Sequence, residues 1–224
     1  MVVYNVRGFR DGFERVERLF ERFAPDVLLL NETGGRWRLR RFARRVQMRP
    51  LVDPWSPFHR GVKNAVLVRP PWRALGRQLL RFEGSERFHP RGAVVVSLGR
   101  SGYRLWAASV HLGLQPAERV RHVEELSDGL RGLGGTVVLG GDLNETPDER
   151  AASFLAERFW DTWLLGGDAA GETFPSAEPT ARTDYLFVSE GVRVERVIVP
   201  ADEDARWASD HRPVVAELTL PEPG

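Results

Sequence analysis

Short apolar runs, each closed by a polar or turn residue, recur along the chain and are interrupted by two stretches of helical periodicity. Residues 2–6 (VVYNV) are short and β-rich, and residues 13–23 (FERVERLFERF) repeat apolar positions at helical spacing before Pro25. Residues 26–31 (DVLLLN) read as a buried strand. Further strands are predicted at NAVLVR (64–69), AVVVSL (93–98), YRLWAASVHL (103–112) and TVVLGGDLN (136–144). DYLFVS (184–189), VRVERVIVP (192–200) and PVVAELTL (213–220) complete the set, and residues 117–133 give the clearest amphipathic helix.

About eight strands with few helices do not fit a regular β–α alternation. Residues 64–110 hold several strands without a good helix between them, so that part of the sheet must be antiparallel. βα units at the start and around residues 103–140 add helices on the outside. The economical fold is of the α/β class, α+β in type: two packed mixed sheets with helices on both outer faces. Such a sandwich gathers strand ends along one rim, where polar residues from distant segments converge.

Composition narrows the chemistry. The 224 residues are 42% hydrophobic, enough for a substantial core, and with no repeat or long linker a single domain over 1–224 is expected. There is no cysteine, which excludes disulfides, zinc–thiolate sites and thiol nucleophiles, so any metal must sit on oxygen or imidazole ligands. No segment is apolar for long enough to span a bilayer and no signal sequence is visible, so a soluble, cytoplasmic protein is expected. The net charge is only +1, and Lys63 is the only lysine among 32 basic residues, a skew that coding bias explains better than phosphate binding does.

Polar residues sit at or just beyond the ends of the apolar strands: Asn5, Glu32, His111, Asp142 with Asn144, then Asp184, Asp210 and His211. Singly, Asn5 reads as an Asx turn and Glu32 as a solvated loop carboxylate. Jointly they suggest a site. Gly140 and Gly141 allow a close backbone approach before Asp142, and alternation along an extended segment points Asp142 and Asn144 the same way. A helix beginning near Pro147, capped by Asn144 or Thr146, is compatible with that. Asp210 and His211 face opposite ways before the last strand, which suits one metal ligand and one base. Asp184, at a strand start, could hold an imidazole in one tautomer, or is an ordinary strand-start aspartate.

The ordered set YNVRG (4–8), LLLNET (28–33), SVHL (109–112), GGDLN (140–144), RTDYLFV (182–188) and SDHRPV (209–214) resembles the endonuclease/exonuclease/phosphatase superfamily. The resemblance spans residues 2 to about 219 and implies a four-layer α/β/β/α sandwich that hydrolyses phosphate esters with a divalent cation. By it, Asn5, Glu32 and Asp210 look like the metal group, whose oxygen donors suit Mg²⁺ or Mn²⁺. His211 resembles the general base, with Asp184 its orienting partner. Asp142 and Asn144 resemble the pair that positions the attacking water, and His111 the contact to the scissile phosphate, against a reading of His111 as a strand-end residue that only packs. Asn31 stands where glutamine is common, Thr183 where a bulky aliphatic often precedes the aspartate, and Leu143 replaces a frequent aromatic. None removes a charged group.

Substrate is less legible. Seven arginines lie between positions 36 and 49, interleaved with Trp37, Leu39, Phe42 and Val46, as in a helix with one basic face. Arg36 and Arg38 would then meet a nucleic-acid backbone or another polyphosphate, or the helix is merely solvated. Lys63, Asn64 and Arg91 are further phosphate-contact candidates. A nuclease acting on DNA or RNA is the first reading; a lipid or inositol phosphate phosphoesterase and a non-catalytic binding module are the alternatives. His59, His89 and His122 have poor metal spacing and are assigned no role.

Overall fold

The structure, a computed structural model, describes residues 1–54, 56, 60–85, 89–168 and 171–223; His59 lies outside them. The chain opens with β1 (Val2–Asn5), α1 (Phe13–Phe23), β2 (Val27–Asn31), α2 (Arg36–Arg45), β3 (Arg49–Val52) and β4 (Ala65–Val68). It continues with β5 (Arg73–Arg81), β6 (Gly92–Arg100), β7 (Tyr103–His111), α3 (Pro116–Leu130), β8 (Thr136–Asp142) and α4 (Arg150–Ala156). The last third adds β9 (Trp160–Asp161), α5 (Thr162–Gly166), β10 (Asp184–Val188), β11 (Arg193–Ile198), α6 (Glu203–Trp207) and β12 (Val214–Thr219).

Two six-stranded sheets result, ordered β11-β12-β1-β2-β4-β3 and β5-β6-β7-β8-β10-β9. Each has one parallel pair, β1 with β2 and β7 with β8, and these are the two pairs joined through α1 and α3. A parallel connection needs a crossover, which a helix supplies; the remaining neighbours are antiparallel. Three strands escape the apolar pattern. Both β3 and β5 end a sheet, and most of their side chains are exposed or half-buried, so neither carries a continuous apolar run. β9 is only two residues long. The basic helix stops at Arg45, with Arg49 already in β3, and the helix expected near Pro147 starts at Arg150.

The buried strands explain the four layers. Side chains alternate across a sheet, so a strand covered on both faces must be apolar at successive positions. Val2, Tyr4, Leu28 and Leu30 pack under α1 and α2 against Phe20 and Phe42, while Val3, Val27 and Leu29 turn the other way. There they meet Val94, Val96, Ala107 and Val138 of the second sheet. Its outer face, with Val95, Ala108, Val110 and Leu139, packs on Val123 and Leu126 of α3 and on Leu155 of α4. The order is helices, sheet, sheet, helices, as the resemblance implies. No helix among the described residues is long and apolar enough to cross a membrane.

At one end of the sandwich the apolar seam gives way to polar stitching. Asn31, fully buried at the end of β2, donates from Nδ2 to the Val110 carbonyl (2.8 Å) and accepts the Asp142 amide hydrogen on Oδ1 (2.9 Å). Ser109 donates to the Leu30 carbonyl (2.9 Å), and Asn64 donates to the carbonyls of Gly92 (2.8 Å) and Ser109 (3.0 Å). Within the second sheet, Gly141 of β8 lies beside Val110 of β7 with φ +154°, and a Cβ there would stand 1.7 Å from the Val110 carbonyl oxygen of the neighbouring strand, which is why a glycine is required. Replacing Asn31 by leucine, similar in size, strands the Asp142 N–H and the Val110 carbonyl. We expect a loss of about 2–4 kcal/mol in urea unfolding, from roughly 1–3 kcal/mol per buried group left without a partner.

Candidate active site

Register brings the polar residues together. His111, Asp142 and Asp184 sit side by side at the ends of β7, β8 and β10, and Asn5 pairs with Asn31 at the ends of β1 and β2 in the facing sheet. Asn5 Nδ2 crosses the seam to Asp142 Oδ2 (3.0 Å). The segment before β12 is tied to the same place, since Ser209 Oγ donates to the Asn5 carbonyl (2.7 Å). That sets His211 Nδ1 2.8 Å from Asp184 Oδ2, while its Nε2 lies 3.7 Å from Asp142 Oδ2. Asp184 Oδ2 also accepts hydrogen bonds from Thr173 (2.7 Å) and Thr183 (3.1 Å). Phe174 lays its ring beside the His211 imidazole, 4.8 Å between centroids.

Asp142 is the hub of this group. Its Oδ1 accepts the Asn144 backbone N–H (2.9 Å), and His111 Nε2 lies 3.4 Å from its Oδ2. Arg91 Nη1 lies against the His111 ring, within reach of both Nδ1 (2.8 Å) and Nε2. Burial by itself would raise Asp142, but His211, together with the hydrogen bonds from His111 and Asn5, holds its carboxyl well below the usual range. Burial likewise disfavours a charged His211, yet Asp184, Asp142 and Asp210 outweigh it and push His211 up to about 10. In this arrangement His211 carries a proton at neutral pH.

Several sequence expectations change in detail. Asn144 does not share a face with Asp142 by strand alternation; β8 ends at Asp142, and Asn144 turns with φ 54°, its Nδ2 donating to the Leu112 carbonyl (3.0 Å). Asn64 has both amide hydrogens donated to carbonyls and keeps none for a phosphate, so that assignment is corrected. Arg38 donates to the Gly8 carbonyl (2.9 Å) and so ties α2 to the turn after β1. Of the seven arginines at 36–49, Arg36 alone lines either cavity at the rim, so the basic face as a whole does not front the site. Glu32 lines the rim cavity with Lys63, Arg91 and His111. Residues the sequence did not single out are Thr173, Phe174 and Arg7; for the first two, isolated polar and aromatic side chains in a loop gave no signal.

Two groups of donors are suited to a cation. The ligand atoms of Asp142, Asp184 and His211 all lie within 4.8 Å of one another, so one ion could reach all three. Asn5 ends β1 beside Asn31, the residue before Glu32, and the side chains of Asn5, Glu32 and Asp210 offer only oxygen donors, the kind a hard divalent ion takes. Asn5 Oδ1 accepts the Arg7 backbone N–H (3.1 Å) and retains a second lone pair. Asp210 Oδ2 lies 3.1 Å from Arg7 Nε in a half-exposed ion pair, so its charge is accessible to a competing cation.

A buried cluster of carboxylates and imidazoles at the joined rim of an α/β/β/α sandwich is the arrangement of a phosphate-ester hydrolase, and comparison with known proteins agrees. The chain belongs to the endonuclease/exonuclease/phosphatase family, whose model matches residues 2–211. Its members hydrolyse phosphate esters. No curated protein sequence matches it. Solved structures do. A conserved protein of unknown function from Enterococcus faecalis V583 is 19% identical, with TM-score 0.84 over 98% of this chain and 100% of the other. The mannosyl-6-phosphatase of Bacteroides thetaiotaomicron VPI-5482 is 18% identical, with TM-score 0.81 over 98% of each chain. D. rerio TDP2 in complex with a single-strand DNA product is 17% identical, with TM-score 0.78 and again 98% of each chain covered. At these identities the likeness establishes the fold.

The raised His211 has a consequence for stability. Its folded value of about 10 exceeds the ordinary 6.5, so the stabilisation is fully present below pH 6.5 and is lost as pH rises through about 10. In EDTA, the wild-type melting temperature should fall over that window, and His211→Gln should flatten the fall. Parallel curves for the two proteins would show that His211 is not charged in the folded state.

Proposed function

We propose that this protein is a divalent-cation-dependent phosphodiesterase acting on nucleic acid. The observation that carries the reading is the clasp of His211 between Asp184 and Asp142 on the rim that also holds Asn5, Glu32 and Asp210. A phosphodiester resists water because its charge repels the nucleophile and an alkoxide leaves poorly. Placed protons and positive charge address both problems.

Glu32, Asp210 and Asn5 are the residues that would hold Mg²⁺ or Mn²⁺. Such an ion supplies positive charge to a phosphoryl oxygen and to the leaving oxygen, and its field opposes the one that keeps the proton on His211. Asp142, kept anionic by its hydrogen bonds, orients a water towards His211 Nε2, which stands beyond hydrogen-bond length from Asp142 and is available to that water. Asp184 fixes the imidazole through Nδ1 and stabilises its protonated form once the water has lost its proton. The Asn144 backbone N–H holds the Asp142 carboxylate in place. Arg91 and His111, joined to each other, stand in the rim cavity where a phosphate oxygen would lie.

The nucleic-acid reading is supported by the relative crystallised with a DNA product, while the relative named mannosyl-6-phosphatase keeps a small phosphate ester as the other outcome. Plasmid DNA, single-stranded RNA, bis-p-nitrophenyl phosphate and a panel of sugar, inositol and lipid phosphates should be incubated with Mg²⁺, Mn²⁺ or EDTA. Cleavage of the nucleic acids and the diester, abolished by EDTA, is expected. Glu32→Ala and His211→Ala should each cost at least about 10²-fold in kcat/KM. The wild-type rate should rise with pH as His211 loses its proton, a limb missing in His211→Ala. Cleavage confined to the monoester panel would reassign the substrate, and wild-type turnover by His211→Ala would remove it as the base.

A further inference from the structure

The rim cavity does not end at the catalytic group. Glu32, His111, Arg91 and Lys63 line a space of about 240 Å³, and a second space of about 230 Å³ opens beside it, lined by Arg36, Asp53 and again Lys63. Gly34, Arg60 and Lys63 belong to the walls of both, so the two are immediate neighbours. Lys63 reaches this junction because the Thr33 N–H, one residue past Glu32, donates to the Lys63 carbonyl (2.9 Å).

The second cavity is cationic in effect, although it contains an acid. Asp53 is buried, with Oδ2 accepting from the Val62 N–H (2.8 Å) and Oδ1 from Arg81 (2.8 Å), which answers its charge from outside the cavity. Arg36 donates to the Asp53 carbonyl rather than to a carboxylate, which aims the guanidinium without neutralising it. Lys63 has no ion pair among the described residues. The first turn of α2, which begins at Arg36, has no acidic side chain and no side-chain cap, so the positive end of the helix adds to the same field. Like charges gathered on a concave, partly enclosed wall repel one another unless an anion joins them.

We propose that this second cavity binds a second phosphate group of the substrate, adjacent to the one that is hydrolysed, with Arg36 and Lys63 as its ligands. The inference rests on the phosphoesterase reading and narrows it to substrates carrying two neighbouring phosphates, whether successive nucleotides or a small bisphosphate. The cleaved phosphate lies with Glu32, His111 and Arg91, and Lys63 stands between the two.

The test compares the thymidine dinucleotide TpT with pTpT and TpTp, which add one phosphate on either side, and a hexose monophosphate with the hexose bisphosphate. In wild-type enzyme with Mg²⁺, kcat/KM for at least one two-phosphate form should exceed its one-phosphate counterpart by about tenfold or more, the worth of a charge-assisted contact. That ratio should fall towards one in Arg36→Gln and Lys63→Gln and persist in Lys63→Arg. The arm in which it appears identifies the source of the second phosphate. A ratio near one in wild type, or one that neither substitution alters, overturns the proposal. Because Arg36→Gln also loses its bond to Asp53, its melting temperature is recorded, and Lys63→Gln carries the test if Arg36→Gln unfolds. If no substrate turns over, titration of pTpT, TpTp and TpT in EDTA separates the two readings. A preference for a two-phosphate form that Lys63→Gln abolishes upholds the subsite while removing the catalytic reading, and equal affinities overturn the subsite.

Discussion

Everything at the rim depends on a polar seam between two sheets that are otherwise joined by hydrocarbon. Valines and leucines fill the interface along most of its length, and such contacts, being non-directional, do not by themselves dictate one alignment of the sheets. A buried amide does fix it. Asn31 bonds to the Val110 carbonyl and the Asp142 N–H at once, and a shift of either sheet would leave three buried polar groups without partners. Ser109 and Asn64 repeat the device from opposite sides. The seam thereby sets how far Asn5 and Glu32, carried by one sheet, stand from His111, Asp142 and Asp184, carried by the other.

That spacing creates the electrostatic character of the site. Carboxylates brought this close and removed from water would protonate unless something stabilised their charge. Asp142 is held anionic by the Asn5 amide, the Asn144 N–H and two imidazoles, and the same carboxylates return the effect by keeping a proton on His211. Charge is therefore balanced within the cluster, and the proton on His211 is the component that further positive charge would dislodge.

Much of this was legible in the sequence, for a reason that also marks the limit. Strands covered on both faces must be continuously apolar, so β1, β2, β7, β8 and β10 were visible as runs, and a polar residue ending such a run had to be at a rim. Asn5, His111, Asp142 and Asp184 were found in that way. The edge strands β3 and β5 escape because most of their side chains are exposed or half-buried, and β5 reads as a polar segment. Partners of amides were also invisible. Asn64 sits in the same kind of position as Asn5, yet its hydrogens go to two carbonyls from segments 28 and 45 residues away, which no local pattern encodes. The pairing of Arg7 with Asp210 joins opposite ends of the chain and is equally silent.

The two kinds of site residue differ in what holds them. Asn5, His111, Asp142 and Asp184 end strands and are locked by sheet register, whereas Lys63, Arg36 and Arg91 stand in or beside the loops at the mouth of the cavities. A loop can be lengthened or recharged without disturbing the register of the strands that carry the chemistry. Relatives below 20% identity can therefore share the sandwich while one is named for a phosphorylated mannose and another holds a DNA product. On the proposed reading, the strand ends hold the groups that attack a phosphate ester, and the cations at the mouth would select which ester arrives.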